Sequence, residues 1–240
     1  MKKIFLFALV SFSLFSSCRF MGGKRVQGNG NIQTEERSVS SFSRVDVRGN
    51  MKVNISQGDV RKVVIEADEN LIQYIETKQE GDRMVVQTRP GFDPQPSGDM
   101  RVYVTAPVFK SIEVSGACDI IGQTTINNSE KIQLHVSGAG EIKMDLNAPA
   151  IRAEISGSGT VNLKGETKDF EVDLSGAANA HCFDLLSENT KVVISGAGDA
   201  EVYASVKLDA KVSGAGEVTY KGEAKQVNQH VSGAGSVKKK

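Results

Sequence analysis

The sequence predicts an all-β chain wound as a right-handed parallel β-helix, with a less regular β-rich lobe ahead of the coil. Three observations carry that expectation. Seven near-copies of one six-residue phrase, from SGACDI to SGAGSV, open at Ser115, Ser137, Ser156, Ser175, Ser195, Ser213 and Ser232. Their serines stand 22, 19, 19, 20, 18 and 19 residues apart, and a near-fixed period in this range marks a solenoid whose units bury one another's apolar faces. Within each unit, apolar residues precede the serine (Val114, Val136, Ile155, Leu174, Ile194, Val212, Val231) and recur five residues after it (Ile120, Ile142, Val161, Ala180, Ala200, Val218, Val237). Polar residues such as Glu113, Glu154 and Asp173, or Asp119, Glu141 and Glu217, alternate with them, which is the period of a strand. Finally, every phrase holds a run of small residues with at least one glycine, which would weaken a helix in every unit.

Taken in chain order, residues 1–17 read as a lipoprotein signal peptide. Lys2 and Lys3 precede a largely apolar run from Ile4 to Phe15, and Ser16 and Ser17 stand directly before Cys18. The run is too short for a membrane-spanning helix and suits a secretory signal. Small residues before a cysteine resemble a bacterial lipobox, which implies cleavage before Cys18 and lipidation of its thiol. Several acyl chains on one residue would hold the protein to a membrane. Residues 18–31 then form the lipidated cysteine and a Gly-rich flexible tether. Arg19 is basic where some surface-exported lipoproteins carry acids, so the anchor is expected in the outer membrane on either its periplasmic face or the cell surface.

Residues 32–110 make up the N-terminal lobe. Alternation marks strands over Phe42–Ser56, Val60–Ala67, Asp82–Thr88 and Met100–Ala106. A short helix is expected over Asn70–Thr77 after the capping-type Asp68. Pro90–Gly98, with three prolines and two glycines, reads as a turn or crossing connection. Val47 to Val53 echoes the later phrase with Gly49 in the glycine's place, so the lobe is open to being a degenerate continuation of the coil.

Residues 111–240 are the SGAG-repeat β-helix. With strands stacked at about 4.8 Å, seven rungs give a ladder about 29 Å long. The repeated pairs Ser115–Gly116, Ser137–Gly138, Ser156–Gly157, Ser175–Gly176, Ser195–Gly196, Ser213–Gly214 and Ser232–Gly233 admit two readings. They form either a sharp corner that needs positive φ or a flattened strand whose inward positions lack side chains because the opposite wall is close. The closing Lys238, Lys239 and Lys240 read as protection of an exposed strand edge.

The opening strand pair, the ADENLIQYIETKQEGDRMVVQ stretch, the MRVYVTAPVFKSIEVSGACDI junction and the SGAG repeats together resemble the putative auto-transporter adhesin, head GIN domain family. The resemblance runs from Ser38 to Val237. It implies an all-β solenoid body, commonly lipid-anchored in Bacteroidetes, and it supplies no catalytic residues.

Composition narrows the function. Lysine plus arginine balance aspartate plus glutamate at 29 each, so no basic field invites nucleic acid. Apart from Cys18 only Cys118 and Cys182 remain, about three coil spacings or 14 Å apart, too far for a disulfide. Asp119 with Glu141, Glu154 with Asp173, and Asp199 with Glu217 stack on adjacent coils, but such acids on an outward ladder read as a solvated face and the chain has no tryptophan platform. Calcium would need six or more converging oxygens, and His135, His181 and His230 are too dispersed for a metal cluster. No catalytic, cofactor or metal site is therefore expected, and no cofactor. The expected protein is a lipid-anchored envelope adhesin or structural binding module, attached to the membrane by its lipid, with a glycan or an envelope protein as partner. A carbohydrate-active β-helix enzyme and a periplasmic scaffold or sensor partner are the alternatives.

Overall fold

The computed structural model describes residues 23–240; the expected signal peptide and Cys18 lie outside the described residues. With 70% of the described residues in strands and 2% in helix, the all-β expectation holds, and about seven turns form the right-handed β-solenoid. The strands of the lobe are β1 (Lys24–Gln27), β2 (Ile32–Arg37), β3 (Arg44–Gly49), β4 (Lys52–Gln57), β5 (Lys62–Asp68), β6 (Ile75–Glu80), β7 (Arg83–Thr88), β8 (Phe92–Gln95) and β9 (Arg101–Ala106), with α1 (Glu69–Ile72) between β5 and β6. Those of the coil are β10 (Ser111–Gly116), β11 (Asp119–Gly122), β12 (Ile126–Asn127), β13 (Ile132–Gly138), β14 (Glu141–Gly157), β15 (Thr160–Gly176), β16 (Asn179–Gly196), β17 (Asp199–Tyr203), β18 (Lys207–Gly214), β19 (Glu217–Lys221), β20 (Gln226–Gly233) and β21 (Ser236–Lys239).

Each coil lies parallel and in register on the next. Val47, Val114, Val136, Ile155, Leu174, Ile194 and Val212 form one column, and none is more than 2% exposed. Val53, Ile120, Ile142, Val161, Ala180, Ala200 and Val218 form a second, so the positions before and after the serine are the two inner walls. Each large aliphatic side chain buried this way contributes roughly 1.5–3 kcal/mol.

The echo around Gly49 is a true rung. β3 and β4 pair parallel with β10 and β11, aligning Gly49 with Gly116 and Val53 with Ile120. Beyond them β7 and β9 extend the two walls, still parallel to β3 and β4. There the pattern stops: β6 closes on β7 antiparallel, and β5 on β9 with β2 on β5 likewise. Antiparallel strands thus finish the ladder at this end, and Phe42, Leu71, Ile72 and Met100 are buried beneath them.

Three local expectations change. The helix is only Glu69–Ile72 and gives way to β6 at Ile75, and Asp68 makes no side-chain cap bond. Its carboxylate is used elsewhere, accepting hydrogen bonds from Ser97 N and Oγ and from Gly30 N at 2.7–3.0 Å. Within the expected tether, Lys24–Gln27 is strand β1, paired parallel with β8 inside the proline-rich Phe92–Gln95 connection. Asn70 fastens the same segment, donating to Gln27 O and accepting from Asn29 N.

At the other end β20 and β21 are the last strands described, and Val227 and Val231 are 38% and 39% exposed. The terminal lysines turn back over earlier coils. Lys238 pairs with Glu217 at 2.9 Å, Lys239 with Glu223 at 3.0 Å, and Lys240 stands 4.8 Å from the centre of the Phe183 ring. Cys118 and Cys182 are free and buried, and burial pushes their thiols up to about 11 and about 12.

Candidate functional site

The serine–glycine pairs form a corner. Gly157 has φ +113°, a conformation that disfavours any side chain, and a Cβ there would stand 2.5 Å from the carbonyl oxygen of Gly138 one coil away. The same left-handed conformation recurs at Gly116, Gly138, Gly176, Gly196, Gly214 and Gly233. The close-wall reading applies two residues further on. There Cys118, Gly140, Gly159, Ala178, Gly198 and Gly216 are buried, and a Cβ on Gly140 would lie 2.8 Å from Val114 Cγ1 and 2.5 Å from Cys118 O. Outside the corner, Ser137, Ser156, Ser175, Ser195, Ser213 and Ser232 and the alanines beside them are exposed, while Ser115 is half-buried. The stripe is a geometric necessity of the turn, with no convergent functional group along it.

The side that leads into the corner carries charge, and the charge is internally paired. Asp46 is met by Arg48 and by Arg83 at 3.5 Å, and Arg83 also reaches Glu113 at 3.1 Å. Further along, Arg152 stands 2.6 Å from Glu154, 3.1 Å from Asp173 and 3.3 Å from Glu171, and Lys191 holds Glu171 at 2.6 Å. The hydrogen bond from Lys191 keeps Glu171 below the usual carboxylate range. Burial, with Glu171 beside it, raises Asp173. Glu154 and Asp173 do lie on adjacent coils in register, yet Arg152 bridges both. That is the geometry of an ion-pair ladder, and it leaves neither carboxylate free of a cation as paired acid–base chemistry would want.

The second side mixes signs around an aromatic ring. His181 Nδ1 lies 2.8 Å from Glu201, and Lys221 sits 4.3 Å from the centre of the Phe183 ring. A recess of about 620 Å³ here is lined by Lys143, Asp145, Lys164, Phe183 and Asp184 among others. Among the described residues, no group of three or more His, Cys, Asp or Glu is placed to hold a metal ion, and no helix is long and apolar enough to cross a membrane.

The third side differs from both. Asn127, Asn147, Glu166 and Leu186 stack in register on consecutive coils, and Ala148, Thr167 and Ser187 form the neighbouring column. With Tyr203 and Ser205 they line an open groove of about 740 Å³. It crosses five coils, so four spacings of about 4.8 Å make it roughly 19 Å long, parallel to the solenoid axis. Its floor is rigid. Ser187 and Thr190, each 2% exposed, both donate to Tyr203 O, and Asn147 Nδ2 donates to Asn127 Oδ1 at 3.0 Å while its Oδ1 accepts from Glu166 N at 3.1 Å. Leu186, 47% exposed, gives the groove an apolar surface. The result is a long, shallow groove fixed by these hydrogen bonds and lined by amide, carboxylate and hydrocarbon groups, the mixture that ligand sites use.

The serine-aligned reading of the sequence missed the groove. Asn127 lies 12 residues after its serine, Asn147 and Glu166 10, and Leu186 11, so the column slips out of a fixed offset. Part of the slip is a bulge, which lets Lys164 face Asp184 although Asn162 faces His181. The usable signal was the pair of asparagines at similar offsets in successive repeats.

Residues 41–224 match the profile of the family described as putative auto-transporter adhesin, head GIN domain. Solved structures share the fold. A putative adhesin from Bacteroides fragilis superposes with TM-score 0.77 at 18% identity, over 90% of this chain and 100% of its own. A putative lipid binding protein from Parabacteroides distasonis gives 0.72 at 21%, with the same coverage of both chains. A putative adhesin from Parabacteroides merdae gives 0.68 at 21%, over 91% of this chain and 100% of its own. No curated protein matches the chain.

Proposed function

The chain belongs to the putative auto-transporter adhesin, head GIN domain family, and from that premise we propose a lipid-anchored protein of the cell envelope that binds an extended ligand along its coil. The groove lined by Asn147, Thr167, Leu186 and Tyr203 carries the reading, because it is preformed and runs across five coils where a compact substrate would need one. The adhesin names of the family and of two structural relatives agree with a binding role. The segment before Cys18 supports the anchor: two lysines, a largely apolar run and two serines directly before the cysteine resemble a lipoprotein signal. The ion-paired state of Glu154 and Asp173 favours binding over turnover.

Two experiments test this. The soluble fragment from Gly23 onward, applied to arrays of glycans and of envelope proteins, should retain a ligand without cutting it; release of new reducing ends from a bound polysaccharide would overturn the proposal. In cells, the full chain should incorporate labelled palmitate and fractionate with the outer membrane, and Cys18→Ala should abolish the labelling. Label retained in the variant would rule out the anchor at Cys18.

A further inference from the structure

We infer that the third-side groove takes an uncharged, hydroxyl-rich glycan chain laid parallel to the solenoid axis, and that it discriminates against polyanionic glycans. The inference rests on the binding reading above and names its ligand class and direction. Direction follows from register. The columns Asn127–Asn147–Glu166–Leu186 and Ala148–Thr167–Ser187 advance one residue per coil, so the groove runs along the axis and an occupant lying in it spans several coils. A linear polymer fills such a groove; a single compact molecule leaves most of it empty.

Polarity follows from the lining. Acceptors, the carboxylates of Glu166 and Glu188 and the Ser205 oxygen whose own proton goes to Ser187 O, lie beside hydrocarbon from Pro149 and the exposed Leu186. A sugar ring has the same duality, with hydroxyls at its rim and C–H groups on its faces. Sites for such ligands pair apolar contact with a few placed polar groups.

Charge follows from comparing the three sides. Recognition of carboxylates, sulfates and phosphates relies on arginine and lysine. The groove lining holds no arginine, one lysine, Lys168, and two glutamates, Glu166 and Glu188. A polyanion would therefore enter a site of net negative charge. The molecule's cations stand elsewhere: Arg48, Arg83 and Arg152 are committed to acids on the first side, and Lys221 and Lys240 to Phe183 on the second. Lys221 and Lys240 beside Phe183 give a polyanion an alternative place to bind, which makes that site testable.

The full-length protein, purified in detergent, is applied to an array of neutral and acidic glycans, and hits are titrated as hexasaccharide and disaccharide. A neutral hexasaccharide should bind, the corresponding disaccharide at least about tenfold more weakly, and affinity should change less than about twofold between roughly 50 mM and 500 mM salt, since no ion pair is screened. Leu186→Ser, at an exposed position that leaves the fold intact by its unchanged melting temperature, should weaken binding about tenfold, the equivalent of one lost leucine contact. The double variant Lys221→Ala with Lys240→Ala should bind as the parent does. Preference for an acidic glycan, steep salt dependence, or loss of binding in the lysine variant with retention in Leu186→Ser would overturn the inference while leaving an extended-ligand adhesin in place. Binding of no glycan by a protein that does capture an envelope protein would overturn it too. Silence on both arrays would sink the binding reading itself.

Discussion

The coils from Ile132 to Lys221 and the lobe from Gly23 to Ala106 share two continuous walls but are held together by opposite means. In the coils, a residue's neighbours are its own equivalents: Ser156 lies between Ser137 and Ser175, and Gly157 between Gly138 and Gly176. Every rung reuses the same fit, so one fault spoils two interfaces. In the lobe, neighbours are unlike and each contact is individually specified. Arg37 donates to Ile75 O at 2.6 Å, Arg101 to Glu66 at 2.9 Å, and Asp68 gathers Gly30 and Ser97. Repetition makes the coil regular; unique polar contacts end it.

The largest break is expected at a coil corner. Gly157→Ala adds a side chain at φ +113°, 2.5 Å from a backbone oxygen that can retreat only if two coils separate. A loss on the order of 5 kcal/mol is expected, from left-handed strain plus the clash. Gly30→Ala in the lobe has φ +78° but nothing within 4 Å of the added carbon, so it should cost only about 1–2 kcal/mol. Urea denaturation of the two variants measures the contrast, and equal costs would refute it.

Next comes the core. Phe170 is among the largest fully buried side chains, at 2% exposure, and Phe170→Ala should cost about 3–5 kcal/mol. Because it packs mid-ladder, its loss should lower the cooperativity of unfolding as well as the midpoint, seen as a shallower denaturant slope.

A smaller and local effect is expected at the lobe's clamp. Burial raises the Asp68 carboxyl, but hydrogen bonds from Ser97 and Gly30 outweigh it and leave the group below its ordinary 3.8. A folded pKa below the unfolded one means stability present above about pH 4 and lost as acid protonates the folded carboxyl. Hydrogen exchange should therefore show the Gly30 and Ser97 amides protected at pH 5 and released below pH 4, while the coil amides stay protected. Asp68→Asn should cost about 1–3 kcal/mol and remove this acid dependence; exchange that accelerates equally in coil and lobe would contradict a separate clamp.

The least effect is expected on the charged ladder. Arg152 touches three carboxylates but is 33% exposed, and Arg152→Gln should cost less than about 1 kcal/mol. The same urea measurement in about 1 M salt should reproduce most of that loss in the parent.

Much of the architecture was legible beforehand. The serine period and the alternation of Val114 with Glu113, or Ile120 with Asp119, place both walls, and the Val47–Val53 echo places the rung that joins lobe to coil. The charged columns were legible as well, because Glu154 and Asp173 hold the same offset in adjacent repeats. What the residues left open was which small position makes the corner and which meets the opposite wall. Both occur, two residues apart, since a tight turn and a thin core both need missing side chains. Asp68 misled for a clear reason: an aspartate before a short helical pattern looks like a cap, and nothing local reveals that Ser97 will take its carboxylate.

The repeat alone determined the coil, its period and its inner columns, because in a stacked fold each residue's environment is a copy of the residue one period away. Only the tertiary structure decided the groove and the closed end. The groove depends on where repeats of 18 to 22 residues slip against one another, and on the bulge that brings Lys164 opposite Asp184. The closed end depends on β2, β5 and β9 meeting antiparallel, a pairing between strands with no shared period. Contacts that no spacing encodes become visible only once the chain has folded back on itself.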